Sequence, residues 1–177
     1  MPQNWTLTIL NNLSSLITKG TTPRGGNVAY SEKGIGFLRA ENVAGFYDID
    51  LNNLKFVDED THRTFLKRSI LQESDILITI AGTLGRTGYI KKEYLPLNTN
   101  QAIAIIRPLK NVYVPYIILS LNSPKIQNGL LSQEKITAIP NLTLEIISRC
   151  ILPYPPLNEQ IKIANKVASL FAILNVK

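Results

Sequence analysis

The run Ile76-Leu77-Ile78-Thr79-Ile80 constrains the fold more than any other stretch of this chain. It is continuous and β-branched, with none of the polar alternation of a half-exposed strand. The expectation is a central strand covered on both faces. Gly36 to Ala40, Tyr89-Ile90, Ala102 to Arg107 and Cys150 to Leu152 read as further strands, the last two stopped by Pro108 and Pro153. Trp5 to Ile17 alternates at first and then takes helical spacing, so it reads as a strand or a short helix. Asn42 to Gly45 reads as a turn. Asp58 or Asp60 can cap a short helix running to Phe65. Pro115 suits the first turn of a helix ending before Pro124, Ile126 to Ile139 is mixed, and Leu142 to Ile147 is a short helix or strand. At 177 residues the chain suits one domain, with at most an appendage.

Two loops carry the chemistry of interest. Lys19-Gly20-Thr21-Thr22-Pro23-Arg24-Gly25-Gly26 holds two cations and two hydroxyls. It is either a plain polar turn or a phosphate grip. Ala81 to Gly88 follows the central strand, with glycines at 82, 85 and 88. That spacing matches neither a P-loop nor a dinucleotide fingerprint, and a strand follows it instead of a helix. The glycines serve a tight strand-to-strand turn, or they let the loop approach a DNA backbone with Thr83, Arg86 and Thr87 as donors.

Catalytic and metal chemistry find little support. His62 is the one histidine and Cys150 the one cysteine, which excludes His clusters and thiolate zinc sites. His62 reads as surface or hydrogen-bonded scaffolding, and Cys150 as a packing residue. The Asn-Pro-Pro-Tyr signature of DNA amino-methyltransferases is absent, and Pro153-Tyr154-Pro155-Pro156 has the wrong order. No cofactor is expected. The formal net charge of +6 suits a polyanionic partner, although Glu41 to Asp60 sets six acids against Lys55. Lys91 and Lys92 add to the candidate phosphate contacts. No stretch approaches the roughly 18 apolar residues of a membrane span. No signal peptide is evident, and the lone cysteine favours a cytoplasmic setting.

From Leu157 a helix is expected almost to the end, capped by Asn158, with Glu159 and Gln160 in its first turn. Ile161, Ala164, Val167, Ala168, Phe171 and Leu174 recur at three- and four-residue spacing. A stripe of that length docks on a partner or on the chain's own core.

Taken together, these pieces resemble the DNA specificity subunit of type I restriction-modification systems. The resemblance rests on Gly20-Thr21-Thr22-Pro23, Phe37 to Val43, Ser74-Asp75-Ile76-Leu77-Ile78, Gly82-Thr83-Leu84-Gly85 with Gly88, Asn100-Gln101, and Leu152 to Gln160 followed by Ile163. It implies a mixed α/β fold: one target recognition domain with a twisted sheet and flanking helices (1–154), then a protruding helical spacer (155–177). It implies a non-catalytic module that binds one half of a split double-stranded DNA site. Lys19, Thr22, Arg24, Arg86, Lys91 and Lys92 are the phosphate candidates, and Thr83 and Thr87 are donors in the glycine loop. The helix would pair, through the stripe named above, with a second recognition unit or a second copy, and would help seat methyltransferase subunits. With one domain and a short helix, the chain reads as a half-subunit, a fragment or a truncated frame. An assembly or decoy protein that engages methyltransferase subunits without reading DNA is the alternative.

Overall fold

The computed structural model describes residues 2–25, 30–132 and 142–174. Gly26, the stretch 133–139 of the mixed segment and the side chain of Leu174 lie outside the described residues.

The run at 76–80 forms β7 (Ile76–Thr79), an inner strand of an antiparallel sheet ordered β2 (Ser14–Lys19), β10 (Ile103–Pro108), β7, β8 (Thr87–Tyr89). All four β7 residues are buried. Ile76 and Ile78, with Ala104 and Ile106 of β10, face one core. Leu77, Ile103 and Ile105 face a second core on the other side. The central strand is therefore covered on both faces, and each of these large aliphatic side chains contributes roughly 2 kcal/mol of burial.

Helices α2 (Val114–Leu121), α3 (Pro124–Ser132) and α4 (Leu144–Ser148) cover the first core, together with β11 (Ile151–Tyr154). The second core is closed by the sheet β6 (Lys55–Val57), β3 (Ile35–Leu38), β9 (Leu97–Thr99), whose β3 and β9 run parallel. The fold is thus mixed α/β, with twisted sheets and flanking helices.

Several local expectations shift for physical reasons. Trp5 to Ile17 is strand, 3-10 turn and strand: β1 (Thr6–Ile9), Leu10–Leu13, then β2. β11 runs through Pro153 because it pairs on one side only, with β1, and an edge strand tolerates the missing N–H. The turn expected at Asn42 to Gly45 splits in two. Asn42 closes the first part, accepting the Arg39 N–H at 2.8 Å and donating to the Asp50 carbonyl at 3.0 Å. That sends Val43 into the core and delays the reversal between β4 (Val43–Gly45) and β5 (Asp48–Ile49) to Phe46-Tyr47. Helix α1 (Glu59–Arg63) is capped by Asp58, which accepts the Thr61 N–H at 2.8 Å.

The last helix, α5 (Leu157–Leu174), starts two residues earlier than a cap at Asn158 allows. The Pro156 carbonyl instead accepts the Glu159 and Gln160 N–H groups, at 2.9 and 3.1 Å. Glu159 receives the Trp5 indole N–H at 2.7 Å and the Asn4 amide. Gln160 is buried and donates to the Pro155 carbonyl at 2.8 Å. Glu159 thus ties the helix start to the residues leading into β1, and Gln160 ties it to the proline link before it. Ala164 is buried and Ile163 packs on the first core, so this part of α5 lies on the domain, against α2.

His62 is buried and shares a hydrogen bond with Asn98, as scaffolding. Cys150 is buried, and burial pushes its thiol up to about 11. Among the described residues no helix is long and apolar enough to cross a membrane.

Candidate nucleic-acid interface

Strand register decides which loops meet. Lys19 pairs with Ala104, Ala104 with Ile78, and Ile78 with Thr87. This row crosses the sheet, and both β2 and β7 end on the same side of it. Loops 20–25 and 80–86 therefore emerge from one end of the sheet. Their strands are two apart, or about 10 Å at the usual strand spacing, on the scale of a DNA major groove roughly 12 Å wide.

The first loop is held close to the sheet. Gly20 N–H donates to Ile103 O at 3.0 Å and Thr21 N–H to Thr99 O at 2.9 Å. A Cβ on Gly20 would lie 2.1 Å from the Asn100 carbonyl oxygen, so only glycine fits this approach. We expect Gly20→Ala to displace the loop and destabilise the fold by about 1–3 kcal/mol, as overpacking does. Thermal denaturation checks this, and an unchanged melting temperature would contradict it.

Beyond Gly20, Lys19 and Arg24 are exposed and Thr22 is half-buried. The Arg24 guanidinium lies over the Phe65 ring, 5.4 Å from its centroid. That cation–π contact restrains the side chain at an exposed position. Arg68 donates to the Thr21 hydroxyl at 2.8 Å, fixing the loop from outside. β3 also ends here, since Asn100 N–H donates to Leu38 O at 3.1 Å. Arg39 is therefore at the same end, ion-paired to Glu41 at 2.7 Å.

The second loop turns through Gly82 and Gly85, both at positive φ (77° and 78°). Leu84 packs down onto the first core and anchors it. Thr83 and Arg86 are exposed. The Thr79 hydroxyl donates to the Thr83 carbonyl and accepts the Arg86 N–H, so the backbone beneath both side chains is fixed.

Thr87 is a correction. It is fully buried and cannot reach a DNA backbone. Its hydroxyl donates to the Phe46 carbonyl at 2.7 Å and accepts the Asn122 amide at 2.7 Å. Its neighbour Arg86 is outside the sheet, whereas Thr87 is already within β8. We expect Thr87→Val to cost about 1–3 kcal/mol, since it leaves buried polar partners unpaired. It should leave the salt dependence of DNA binding as in the parent, because no phosphate contact is lost. Urea denaturation and a salt titration of binding separate the two effects.

Lys91 and Lys92 do not join this group. β8 runs back across the sheet, with Tyr89 opposite Ile76, and delivers both lysines to the opposite end. There the Lys91 ammonium lies 5.5 Å from the Tyr94 ring centroid, and its hydrogen bond to Tyr94 pushes its pKa up. The end of the sheet carrying loops 20–25 and 80–86 thus gathers Lys19, Thr22, Arg24, Thr83 and Arg86. Sequence reasoning assigned no part there to Arg68 and Phe65. Their partners are tens of residues away in the chain, and no local pattern links them.

Along α5 the stripe divides. Ala164 is buried, Val167 is half-buried, and Phe171 packs edge-on against Phe46. Ile161 is half-buried like Val167, Ala168 and Leu157 beside it are exposed, and Leu170 and Ile173 stand in solvent on another side of the helix. Among the described residues no group of three His, Cys, Asp or Glu side chains could hold a metal ion.

A rigid α/β scaffold that presents cationic loops from one sheet end, with a docked helix after it, is the architecture of a recognition module. The profile of the type I restriction modification DNA specificity domain matches residues 46–176. The type I restriction enzyme EcoBI specificity subunit of Escherichia coli is 30% identical over 176 residues, covering 97% of this chain. The chain belongs to the type I restriction-modification DNA specificity family. It spans 36% of the length of the EcoBI subunit. Solved structures share the fold. The HsdS subunit from Thermoanaerobacter tengcongensis gives a TM-score of 0.65 at 16% identity, over 99% of this chain and 40% of that one. A chain from a study of type I R-M complex assembly and conformational transition gives 0.68 at 17% identity, over 98% and 40%.

Proposed function

We propose that this chain reads one half of a split double-stranded DNA site as a specificity module, acting in the cytoplasm and directing methyltransferase subunits to that site. The single observation that carries the reading is the convergence of Lys19, Thr22, Arg24, Thr83 and Arg86 at one end of the sheet. Arg86 and Lys19 suit phosphates, and the stacked Arg24 suits a guanine edge, where a fixed fork gives bidentate recognition. Residues 1–154 make the reader. Residues 155–177 make the spacer, on which the exposed Leu157 and Ala168, with half-buried Ile161 between them on the same side of the helix, are left to pair with a second recognition unit or a second copy.

Fluorescence anisotropy on labelled duplexes tests this. Binding should weaken steeply as salt rises, yet at any one salt concentration some duplex sequences should bind more tightly than others. Equal affinity for all duplexes would reject sequence reading. Capture of methyltransferase subunits without any DNA preference would favour an assembly or decoy protein instead.

A further inference from the structure

The hairpin β4–β5 has a tip that sequence reasoning did not explain. Phe46 sits there at φ 52°, a left-handed conformation that disfavours a bulky side chain, and the residue is 41% exposed. A glycine or asparagine would make this turn with less strain. What the phenylalanine gains is a contact: its ring meets Phe171 of α5 edge-on, with centroids 5.4 Å apart and planes at 72°.

The hairpin is itself firmly mounted. The Phe46 carbonyl accepts the Thr87 hydroxyl at the root of the 80–86 loop. The Tyr47 hydroxyl donates to Pro115 O at the start of α2, at 2.9 Å, and the Tyr89 N–H donates to Tyr47 O at 3.2 Å. Helix α5 is rooted at Glu159, Gln160 and Ala164. Phe171 lies seven residues past Ala164, about 10 Å further along the axis. A helix fixed at its root alone can swing, whereas a second contact two turns on fixes its direction.

We propose that the β4–β5 hairpin is a strut, with Phe46 and Phe171 as positioning residues that set the direction of α5 relative to the loop end of the domain. Its consequence for DNA rests on the reading above: in a split-site reader, the direction of the spacer helix sets where the second half-site must lie.

Double electron–electron resonance on the whole chain tests the strut without DNA. Nitroxides go on Glu73→Cys and Ser169→Cys, both exposed positions, while buried Cys150 stays unlabelled. The parent should give one narrow distance distribution. Phe46→Ala and Phe171→Ala should each broaden it, and the double variant should be no broader than either. Phe46→Gly, which relieves the backbone strain, should broaden it too, and Phe46→Tyr should restore the narrow form. Parent-like distributions for both alanine variants would overturn the proposal. Should Phe46→Ala fail to fold, Phe171→Ala alone decides, since that residue is on the outer part of the helix.

A second arm uses complexes with methyltransferase subunits on duplexes whose gap is lengthened by one base pair. Phe171→Ala should lose at least half of the parent's discrimination against the longer gap while half-site affinity stays within about twofold. Unchanged gap discrimination would overturn the strut's role in spacing. A parent that binds no duplex would remove the DNA reading, with the distance measurement still deciding the strut.

Discussion

Replacing Arg107 with alanine should lower the unfolding free energy by about 3–5 kcal/mol, the largest stability loss expected of any single change to a charged residue here. Asp75 is fully buried at the foot of β7, and Arg107 grips it with a fork: Nε to Oδ1 and Nη2 to Oδ2, each 2.8 Å. The same guanidinium donates to the Ile70 carbonyl at 3.2 Å, and the Asp75 carboxylate also accepts the Gln72 N–H at 2.8 Å. Burial pushes the Asp75 pKa up, against the pull of Arg107 and of Gln72. Without Arg107 the buried carboxylate has no cation to offset its desolvation. For a domain of this size the loss corresponds to a melting temperature lower by on the order of 10 °C. Asp75→Ala should cost a similar amount, and the double variant less than the sum of the two, because the two groups form one unit. Chemical denaturation of the four proteins checks this; strictly additive losses would contradict it. The pair is at the sheet end away from loops 20–25 and 80–86, so the folded fraction of Arg107→Ala should bind DNA with the parent's sequence preference.

Removing Lys19, Arg24 and Arg86 together should abolish most DNA affinity at moderate salt and change its salt dependence. Each cation that sits on a phosphate contributes about 0.9 to the slope of log affinity against log salt, so the triple alanine variant should flatten that slope by up to about 2.7. At that limit the parent loses about 40-fold more affinity than the variant between roughly 50 and 200 mM salt. Lys91→Ala with Lys92→Ala removes two charges from the opposite end and should leave the slope unchanged. This contrast separates a placed interface from a general effect of net charge. Equal flattening by the two sets would mean that overall charge, not position, drives binding.

What the sequence disclosed and what it concealed follow from the range of the interactions. The central strand, the capped α1, the glycine loop and the helix from Leu157 were legible because each depends on near neighbours. So was the family, since its motifs occur in order along nearly the whole chain. Thr87 was misjudged because, read as a string, it belongs to the loop, and register alone shows that it has entered β8. Lys91 and Lys92 were counted with Arg86 among the phosphate candidates on charge alone, yet one short strand carries them to the other end of the sheet. The Asp75–Arg107 fork, the Arg68–Thr21 bond and the Arg24–Phe65 stack join residues 32 or more positions apart. No local pattern announces such pairs. The stripe on α5 was visible, but its division between own domain and solvent depends on α2 and on the tip of a distant hairpin.

The most direct test of the account is selection of bound duplexes from a randomised pool, with the chain and methyltransferase subunits together. The parent should select a consensus half-site, and Arg24→Lys, which keeps the charge but not the fork, should lose preference at one or more of its positions. Recovery of no consensus by the parent would contradict it.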